Sequence, residues 1–455
     1  MRRVSLLLVA VLSASFLVPA SAMSPRGGAV FNVPNPYGND AANFRIVKKV
    51  ERAIRNTVRT RRHRNPVIHI STYLLDRPTT VRTLIAACRR GVQVRVILDE
   101  DIESRPSRKL ITALNADNVR DRNRDGRADT DPRAGRCNRR LGAAHGGLRV
   151  NPGEDNTQLD LFTPRQAVRS VGAPSRRKAT WGRDGSYVKR CEGSCRGVGG
   201  NMHSKFYLFS RTKSSRHIVM VSSSNLNSGG GKLGWNDMYV VKRRKKLYRG
   251  FKAMHRLMTD DVRAGGRKVQ VSDGPYVARF FPMRNASKAT DPTLRDLKRI
   301  RCRSAFGRTR IHISMFYWKG ERGAYLLDKV AGLARDGCKV RIIYGAPSRR
   351  LAERMRNMAR RNLIGLWDSR WDYNDDGLNE VRTHAKYVLV KGTVGKNRRA
   401  HRVWTGSQNW VGGSLFRSDE TTLNIGLRSA YVSYRKNWDK VRNHSRRLPY
   451  DVYGR

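Results

Sequence analysis

The pattern of apolar positions repeats once along the chain. Residues 67–71 (VIHIS) form an alternating or fully apolar run, and residues 311–316 (IHISMF) show the same pattern 243 positions later. In both places a helical stretch follows, then a glycine and a second run rich in β-branched residues, at 90–98 and 336–344. The repetition predicts an α/β protein of two similar domains, each a mixed sheet flanked by helices, related by pseudo-twofold symmetry.

The domain boundaries follow from the same repeat. We expect the join near residues 265–274, between an N-terminal domain at 23–264 and a C-terminal domain at 275–455. The first half differs from the second by an insertion near 120–200, which is rich in Arg, Gly, Asp and Ser. Because this stretch lacks helical or strand periodicity, it is predicted to form long surface loops.

The N-terminus has the features of a secretory signal. Arg2 and Arg3 precede an apolar run at 4–18, and residues 20–22 (ASA) offer a cleavage site, which predicts a signal peptide at 1–22. No later stretch approaches the roughly 20 apolar residues that a spanning helix needs. We therefore expect a secreted, extracellular protein that is soluble or peripheral to a membrane.

Charge is the strongest feature of the composition. The chain has 93 Lys and Arg against 36 Asp and Glu, a formal net charge of +57. Such a surface attracts polyanions, and both nucleic acid and anionic lipid fit. Adaptation of an exported protein's surface to its medium is the alternative explanation.

The cysteines are even in number, and an exported chain is expected to pair them. They are Cys88, Cys137, Cys191, Cys195, Cys302 and Cys338. Six cysteines allow fifteen connectivities, and the sequence leaves the pairing open. A zinc site is less favoured, because no second Cys or His cluster lies near Cys191 and Cys195 with ligand spacing.

Two short motifs carry the candidate chemistry. Each places a His and a Lys two residues apart at the start of a predicted strand, so that both side chains share one face. Each is followed by a Ser-x-Asn segment. The motifs comprise His203, Lys205, Ser223 and Asn225 in the first half, and His384, Lys386, Ser407 and Asn409 in the second. A lone histidine is usually a packing or surface group, but packing does not require this recurrence.

With these motifs the chain resembles the phospholipase D superfamily, over residues 29 to 442. The signature of that superfamily is His-x-Lys-x4-Asp followed by Gly-Ser-x-Asn, present twice in its monomeric members. This chain departs from it at Ser210 and Lys391, where the family has Asp, and at Ser222, where the family has Gly. The resemblance implies a monomeric phosphodiesterase, since the family's chemistry depends mainly on His, Lys and Asn.

The resemblance also implies roles for the residues. His203 would attack phosphorus and form a phosphohistidine, while His384 would protonate the leaving oxygen and then activate water. Phosphate oxygens would be held by Lys205, Lys386, Asn225, Asn409, Ser223 and Ser407. No metal cofactor would be required. Asp237 and Glu420, which lie beyond the Asn residues, are candidates to orient the histidines, although both can also be simple loop acids.

A second constellation also occurs in both halves. Asp121, Asn123 and Asp125 in the first half, and Asp372, Asn374 and Asp376 in the second, belong to an Asp-x-Asn-x-Asp-Gly segment. This is the first half of a calcium loop, which predicts structural calcium. Neither segment has Glu at the twelfth position, so plain Asx turns are the alternative.

Three functions fit these observations. Two motifs in one exported chain favour a phospholipase D that hydrolyses phospholipid headgroups. An endonuclease of the same superfamily, acting on DNA or RNA, would explain the charge more directly. In a third alternative the departures at Ser210 and Lys391 mark a catalytically inactive protein that binds polyanions.

Overall fold

The computed structural model describes residues 25–61, 63–100, 104–115, 186–213, 215–266, 268–372 and 374–448. Outside them lie the predicted signal peptide, most of the predicted insertion, Cys137 and the first predicted calcium segment with Asp121, Asn123 and Asp125.

The first half of the chain builds one mixed sheet. Its elements are β1 (Gly28–Phe31), α1 (Asp40–Asn43), α2 (Arg45–Asn56), β2 (Val67–Ser71), α3 (Pro78–Arg89), β3 (Gln93–Asp99), α4 (Arg105–Asn115), β4 (Tyr187–Cys191), β5 (Phe206–Arg211), β6 (Arg216–Ser222), α5 (Ser228–Leu233), β7 (Gly234–Trp235), β8 (Asp237–Val241) and α6 (Lys245–Thr259). Seven strands follow the order β1-β8-β6-β5-β2-β3-β4. β2, β3 and β4 are parallel, and the other neighbours are antiparallel.

The second half builds a larger mixed sheet. Its elements are β9 (Val269–Asp273), β10 (Tyr276–Phe281), α7 (Pro292–Lys298), β11 (Ile300–Arg301), β12 (Arg303–Ser304), β13 (Gly307–Arg308), β14 (Arg310–Trp318), α8 (Gly320–Arg335), β15 (Lys339–Pro347), α9 (Arg349–Arg360), β16 (Gly365–Asp368), β17 (Arg382–Thr383), β18 (Lys386–Val394), β19 (Asn397–Gly406), α10 (Gly413–Phe416), β20 (Glu420–Ile425), α11 (Arg428–Asn443) and β21 (Arg446–Leu448). Nine strands follow the order β21-β16-β15-β14-β18-β19-β20-β10-β9, with β11 beside β18. The predicted join at 265–274 thus contains β9, which belongs to this second sheet.

The repeated pattern marks equivalent strands at the centre of both sheets. β2 pairs with β3 in parallel and with β5 antiparallel, as β14 pairs with β15 and β18. These strands are apolar on both faces because each sheet is covered on both. Helices α2 and α3 cover one face of the first sheet, and α8 and α9 one face of the second. The predicted fold class, two similar α/β domains, is confirmed.

The remaining faces of both sheets pack on one shared core. This core joins Phe206 and Leu208 of the first sheet to Tyr387 and Leu389 of the second, with side chains of α6 and α11 between them. Burial of this apolar surface holds the domains together. In the described part of the chain, no helix has the length and apolarity to cross a membrane.

Two short backbone contacts cross from one domain to the other. β7 pairs in parallel with β17, so that Trp235 is opposite Thr383, and an isolated bridge joins Met202 to Asp419. The residues that follow Met202 and Thr383 are the two motif histidines. The domain interface therefore fixes the backbone directly before each motif.

Disulfides close two loops in the described residues. Cys191 pairs with Cys195, and Cys302 pairs with Cys338. Cys88 is disulfide-bonded as well. The expected pairing of cysteines is thus met wherever the structure describes them.

Three buried histidines outside the motifs should make the protein acid-sensitive. Burial lowers the pKa of His69, that of His255 to about 3 and that of His312 to about 2. Below pH 6.5 these rings are therefore protonated in the unfolded chain but stay neutral in the folded protein. The stability that the protein has above pH 6.5 is lost progressively as the pH falls, because acid favours the unfolded chain. The free energy of unfolding should fall by up to about 1.4 kcal/mol per pH unit for each ring.

Urea unfolding of the wild type and of His312→Gln at a series of pH values tests this expectation. Below pH 6.5 the free energy of unfolding of the variant should depend less steeply on pH, because one of the three rings no longer contributes. Equal slopes in the two proteins would contradict the assignment to His312.

Candidate active site

The two His-x-Lys motifs lie at the start of equivalent central strands. His203 and Lys205 directly precede β5, whereas Lys386 is the first residue of β18 and His384 lies two positions before it. Electrostatic interactions join His384 to both His203 and Lys205, so the structure brings the motifs together into one site. Because β6 and β19 run antiparallel to β5 and β18, the Ser-x-Asn segments that follow them return to the same end of the sheets.

His203 is oriented by a carboxylate from the opposite domain. Its Nδ1 lies 3.0 Å from Oε1 of Glu420, which is buried. Ser414 Oγ donates to the same oxygen at 2.7 Å, and Ser407 Oγ donates to Oε2. An ionised carboxylate only accepts, so the His203 proton is on Nδ1 and Nε2 is left with its lone pair. The predicted orienting acid Glu420 thus contacts a histidine.

His384 is oriented by an amide instead. Its Nδ1 lies 2.9 Å from Oδ1 of Asn236, again across the domain interface. Asn236 Nδ2 donates to the backbone oxygens of Gly230 at 2.9 Å and Gly234 at 3.1 Å, which turns Oδ1 toward the ring. Ser223 Oγ also donates to this oxygen at 2.9 Å. Here too the proton is on Nδ1.

The structure does not bring Asp237 to a histidine, which differs from the prediction. Its carboxylate accepts from Tyr434 Oη at 2.7 Å and from Thr405 Oγ1. The physical reason is alternation: Asp237 begins β8, and neighbouring residues of a strand point to opposite faces. Asn236, one position earlier, is the equivalent of Glu420.

Both motif lysines are buried and form no direct ion pair among the described residues, although Glu420 and Asp99 act electrostatically on Lys205 and Glu420 and Asp237 on Lys386. Lys205 Nζ donates to the His203 carbonyl at 2.6 Å, and Lys386 Nζ to the His384 carbonyl at 2.5 Å. Among the described residues, no carboxylate lies within ion-pair distance of either ammonium group. Burial lowers the pKa of Lys205 to about 7 and that of Lys386 well below its usual value. A bound anion would raise the pKa of both amines again and hold them in the charged form, so the pair forms a site for an anion.

An aromatic residue lies over each motif, and the motif search missed both. The Tyr73 ring is 5.5 Å from the His203 ring and 5.3 Å from Lys205 Nζ. The Phe316 ring is 4.8 Å from the His384 ring and 5.0 Å from Lys386 Nζ. The repeat contains the signal that would find them, because each aromatic is two residues beyond the serine shared by the first strands.

In the Ser-x-Asn segments, the serines and the asparagines make different contacts. The hydroxyls of Ser223 and Ser407, predicted to hold phosphate, are instead bonded to the residues that orient the histidines. Asn409 Oδ1 accepts from the Tyr317 amide at 3.2 Å. Asn225 is buried at this end of the sheet, and its Oδ1 has no hydrogen-bond partner in the described part of the chain.

Two of the three departures from the family signature, Ser210 and Lys391, lie away from the site, and the third, Ser222, lies beside it without changing a group that faces it. Ser210 and Lys391 are five residues beyond the motif lysines, roughly 16 Å along the strand. Ser210 Oγ lies 3.0 Å from His63 Nε2, and Lys391 Nζ is 4.7 Å from the Phe306 ring. Ser222 Oγ donates to the Asp237 carbonyl at 2.7 Å. None of these substitutions removes a group from the site.

Both motif rings are neutral at neutral pH in the free protein. Burial lowers the pKa of His203 to about 4, although the Glu420 carboxylate opposes this shift. The pKa of His384 is lowered well below its usual value by burial, then by Lys386, Lys205 and His203. A neutral imidazole with its free lone pair on Nε2 can attack an electrophile.

The second calcium segment forms an acidic cluster. Carboxylate oxygens of Asp372, Asp376 and Glu380 lie within 4.8 Å of one another. Asn374 Nδ2 donates to Asp376 Oδ2 at 2.9 Å, so its amide nitrogen faces the acid. Three carboxylates suit a hard cation such as calcium, and Glu380 replaces Asn374 in the predicted ligand set.

Calcium should therefore raise the melting temperature of chelator-treated protein. A ligand that binds only the folded state stabilises it by roughly 2.7 kcal/mol at 100 times its Kd. Thermal melts with and without millimolar calcium measure the effect, and Asp376→Asn is the matched control. Equal melting temperatures with and without calcium in the wild type would leave these residues as an Asx turn.

Comparison with known proteins gives one family and several related folds. The family profile "Cardiolipin synthase, PLD-like domain" matches residues 303–441. Phosphatidylserine synthase of Haemophilus influenzae is 12% identical over 94% of this chain and 91% of its own, with a TM-score of 0.52. Polyphosphate kinase of Porphyromonas gingivalis is 11% identical over 93% of this chain, with a TM-score of 0.49. The Nuc protein of Salmonella typhimurium is 17% identical over 38% of this chain and 98% of its own, with a TM-score of 0.27.

The present chain spans about half of that polyphosphate kinase, 47% of its length. Comparison with curated protein sequences gives no match. The profile match identifies a PLD-like domain at residues 303–441, and the match to the phosphatidylserine synthase shows a shared fold over nearly the whole chain, in line with the resemblance to the phospholipase D superfamily. Its members catalyse phosphodiesterase or phosphotransfer reactions and generally need no metal cofactor.

Proposed function

We propose that this protein is a secreted phosphodiesterase, a phospholipase D that hydrolyses phospholipid headgroups through a phosphohistidine. The observation that carries the proposal is the pair of buried lysines, neither in a direct ion pair among the described residues, beside two neutral, oriented imidazoles. A phosphate diester supplies the missing negative charge and the electrophile together. The imidazoles supply a nucleophile and a proton carrier.

The reaction follows from this geometry in two steps. His203 Nε2 attacks phosphorus, and the bond from phosphorus to the headgroup oxygen breaks as His384 gives that oxygen a proton. Water then attacks the phosphohistidine, loses a proton to His384 and releases His203. Glu420 stabilises the positive charge that the His203 ring gains on attack, which supports His203 as the nucleophile. Lys205 and Lys386 offset the charge on the non-bridging oxygens.

Two observations support a lipid substrate. The matched profile and the phosphatidylserine synthase are both named for phospholipid chemistry. The chain segments before the motif histidines also expose large apolar side chains: Val198 is 60% exposed, Trp371 44% and Leu378 64%. Exposed Trp and Leu beside basic residues suit the surface of an anionic membrane.

A nuclease is the second candidate, and the net charge of +57 is the observation that favours it. The inactive polyanion-binding protein is less favoured, because the departures at Ser210 and Lys391 leave the site complete.

One assay separates the three functions. The purified mature protein is offered phosphatidylcholine vesicles and plasmid DNA side by side in EDTA, with the double variant His203→Ala/His384→Ala as control. Headgroup release by the wild type alone is the expected result. Cleavage of the plasmid without headgroup release would establish the nuclease, and binding without either reaction would establish the inactive protein.

A further inference from the structure

The two histidines of the site differ in the group that holds them. Glu420 offers His203 a carboxylate, whereas Asn236 offers His384 an amide oxygen whose orientation is fixed by two donations from Nδ2 to backbone carbonyls. Both partners select the tautomer with the proton on Nδ1. Only Glu420 also contributes a negative charge, so the pseudo-twofold symmetry is broken at this pair.

The charged and titratable groups with the largest effect on His384 are all basic. Lys386 and Arg382 act on it from its own segment, and Lys205 and His203 act on it from the other domain. The Phe316 ring lies 4.8 Å from the His384 ring. Glu420 is engaged with His203, and Asp237 is bonded to Tyr434 on the other face of β8. A second proton on this ring therefore meets no carboxylate at ion-pair distance among the described residues.

We propose that Asn236 is a positioning residue that keeps His384 neutral in the free protein, so that the ring is protonated only when a phosphate group brings its negative charge into the site. The proton comes from solvent and goes to Nε2, because Nδ1 already carries one. It then passes to the leaving oxygen as the bond to phosphorus breaks. This inference rests on the proposed function, since it makes substrate binding the event that protonates His384 and so prepares it to act as the acid.

The consequence is a dependence on the leaving group. An alkoxide leaving group needs the proton of His384, whereas a nitrophenolate leaves without one. Rates with alkyl esters should therefore fall toward alkaline pH more steeply than rates with nitrophenyl esters of the same phosphoryl group, because deprotonation of the two lysines slows both kinds of ester and loss of the His384 proton slows only the alkyl esters. The partner of His203 should not have this selective effect.

The first test observes the ring directly and needs no turnover. Nitrogen NMR of the histidine rings at about pH 6, where a free imidazole is largely protonated, should show His384 neutral with its proton on Nδ1. Saturation with inorganic phosphate should convert it to the imidazolium form. A charged His384 in the free protein, or a neutral one with phosphate bound, would overturn the proposal.

The second test replaces the amide by a charge. Asn236→Asp should extend the alkaline limit for alkyl esters by at least about one pH unit and leave nitrophenyl esters unchanged; Glu420→Gln, the matched variant at His203, should slow both. An unshifted limit in folded Asn236→Asp overturns the proposal. In Asn236→Asp the second carboxylate oxygen would face the Gly230 and Gly234 carbonyls and be repelled by them, so a melting curve of the variant is needed to show that it is folded. If the variant does not fold, the NMR experiment on the wild type decides the question. Protonation of His384 by phosphate without hydrolysis of any ester would refute the proposed function alone.

Discussion

Replacement of either motif histidine by alanine should nearly abolish turnover while the protein stays folded and still binds phosphate. His384→Ala removes the proton donor, a contribution of about 10²- to 10⁴-fold, and His203→Ala removes the attacking atom itself. The lysines remain in both variants, so anion binding should survive. The motif rings lie at the end of the sheets and not in the apolar cores, so their loss should cost little stability.

The covalent intermediate distinguishes the two rings. Rapid quenching at high pH should trap phosphate on His203, and His384→Ala should accumulate this species when the ester has a leaving group that needs no proton. A trapped phosphate on His384 would reverse the assignment. His401→Ala, outside the motifs, is the control. Near-normal rates in both motif variants would remove the two-histidine mechanism and favour the polyanion-binding protein.

Much of this site could be predicted because its signal is local. A His and a Lys two apart on a strand share a face, and the repetition of that pattern in both halves indicates one site built from two motifs. The aromatic residues Tyr73 and Phe316 could also have been predicted from the sequence, since they occupy the same position in the two copies of the repeat.

The parts that the sequence could not supply depend on contacts across the domain interface. Which acid meets which histidine is decided by docking of the domains, and a shift of one residue reverses the face of a side chain. Asp237 was predicted as the orienting acid because a carboxylate is the chemically expected partner, yet β8 turns Asn236 toward His384. The bonding of the Ser223 and Ser407 hydroxyls could not be predicted for a related reason. A Ser-x-Asn pattern does not show which other side chain the hydroxyl will contact.

Replacement of either buried lysine by methionine should make the protein more stable and much less active. Methionine keeps the apolar length of the side chain and removes an ammonium group that forms no direct ion pair among the described residues, where the carboxylates that act on it lie beyond ion-pair distance. Relief of this desolvated charge should raise the free energy of unfolding by at least about 1 kcal/mol. Loss of a preorganised cation should cost about 2.7 to 4 kcal/mol of transition-state stabilisation, which corresponds to 10²- to 10³-fold in turnover.

The pH dependence identifies the cause of the gain. Burial lowers the pKa of Lys205 from 10.5 to about 7, so the folded state is penalised wherever the unfolded chain holds that proton. The stabilisation in Lys205→Met should therefore be full below about pH 7, shrink as the pH rises toward that of a free lysine, and vanish above it. Urea unfolding and turnover assays on the same samples measure both effects. Lys391→Met, at the far end of β18 beside Phe306, is the matched control and should change neither. A Lys205→Met protein that is less stable at pH 7 would mean that this ammonium group already has a counter-ion, and the anion site inferred from it would be lost.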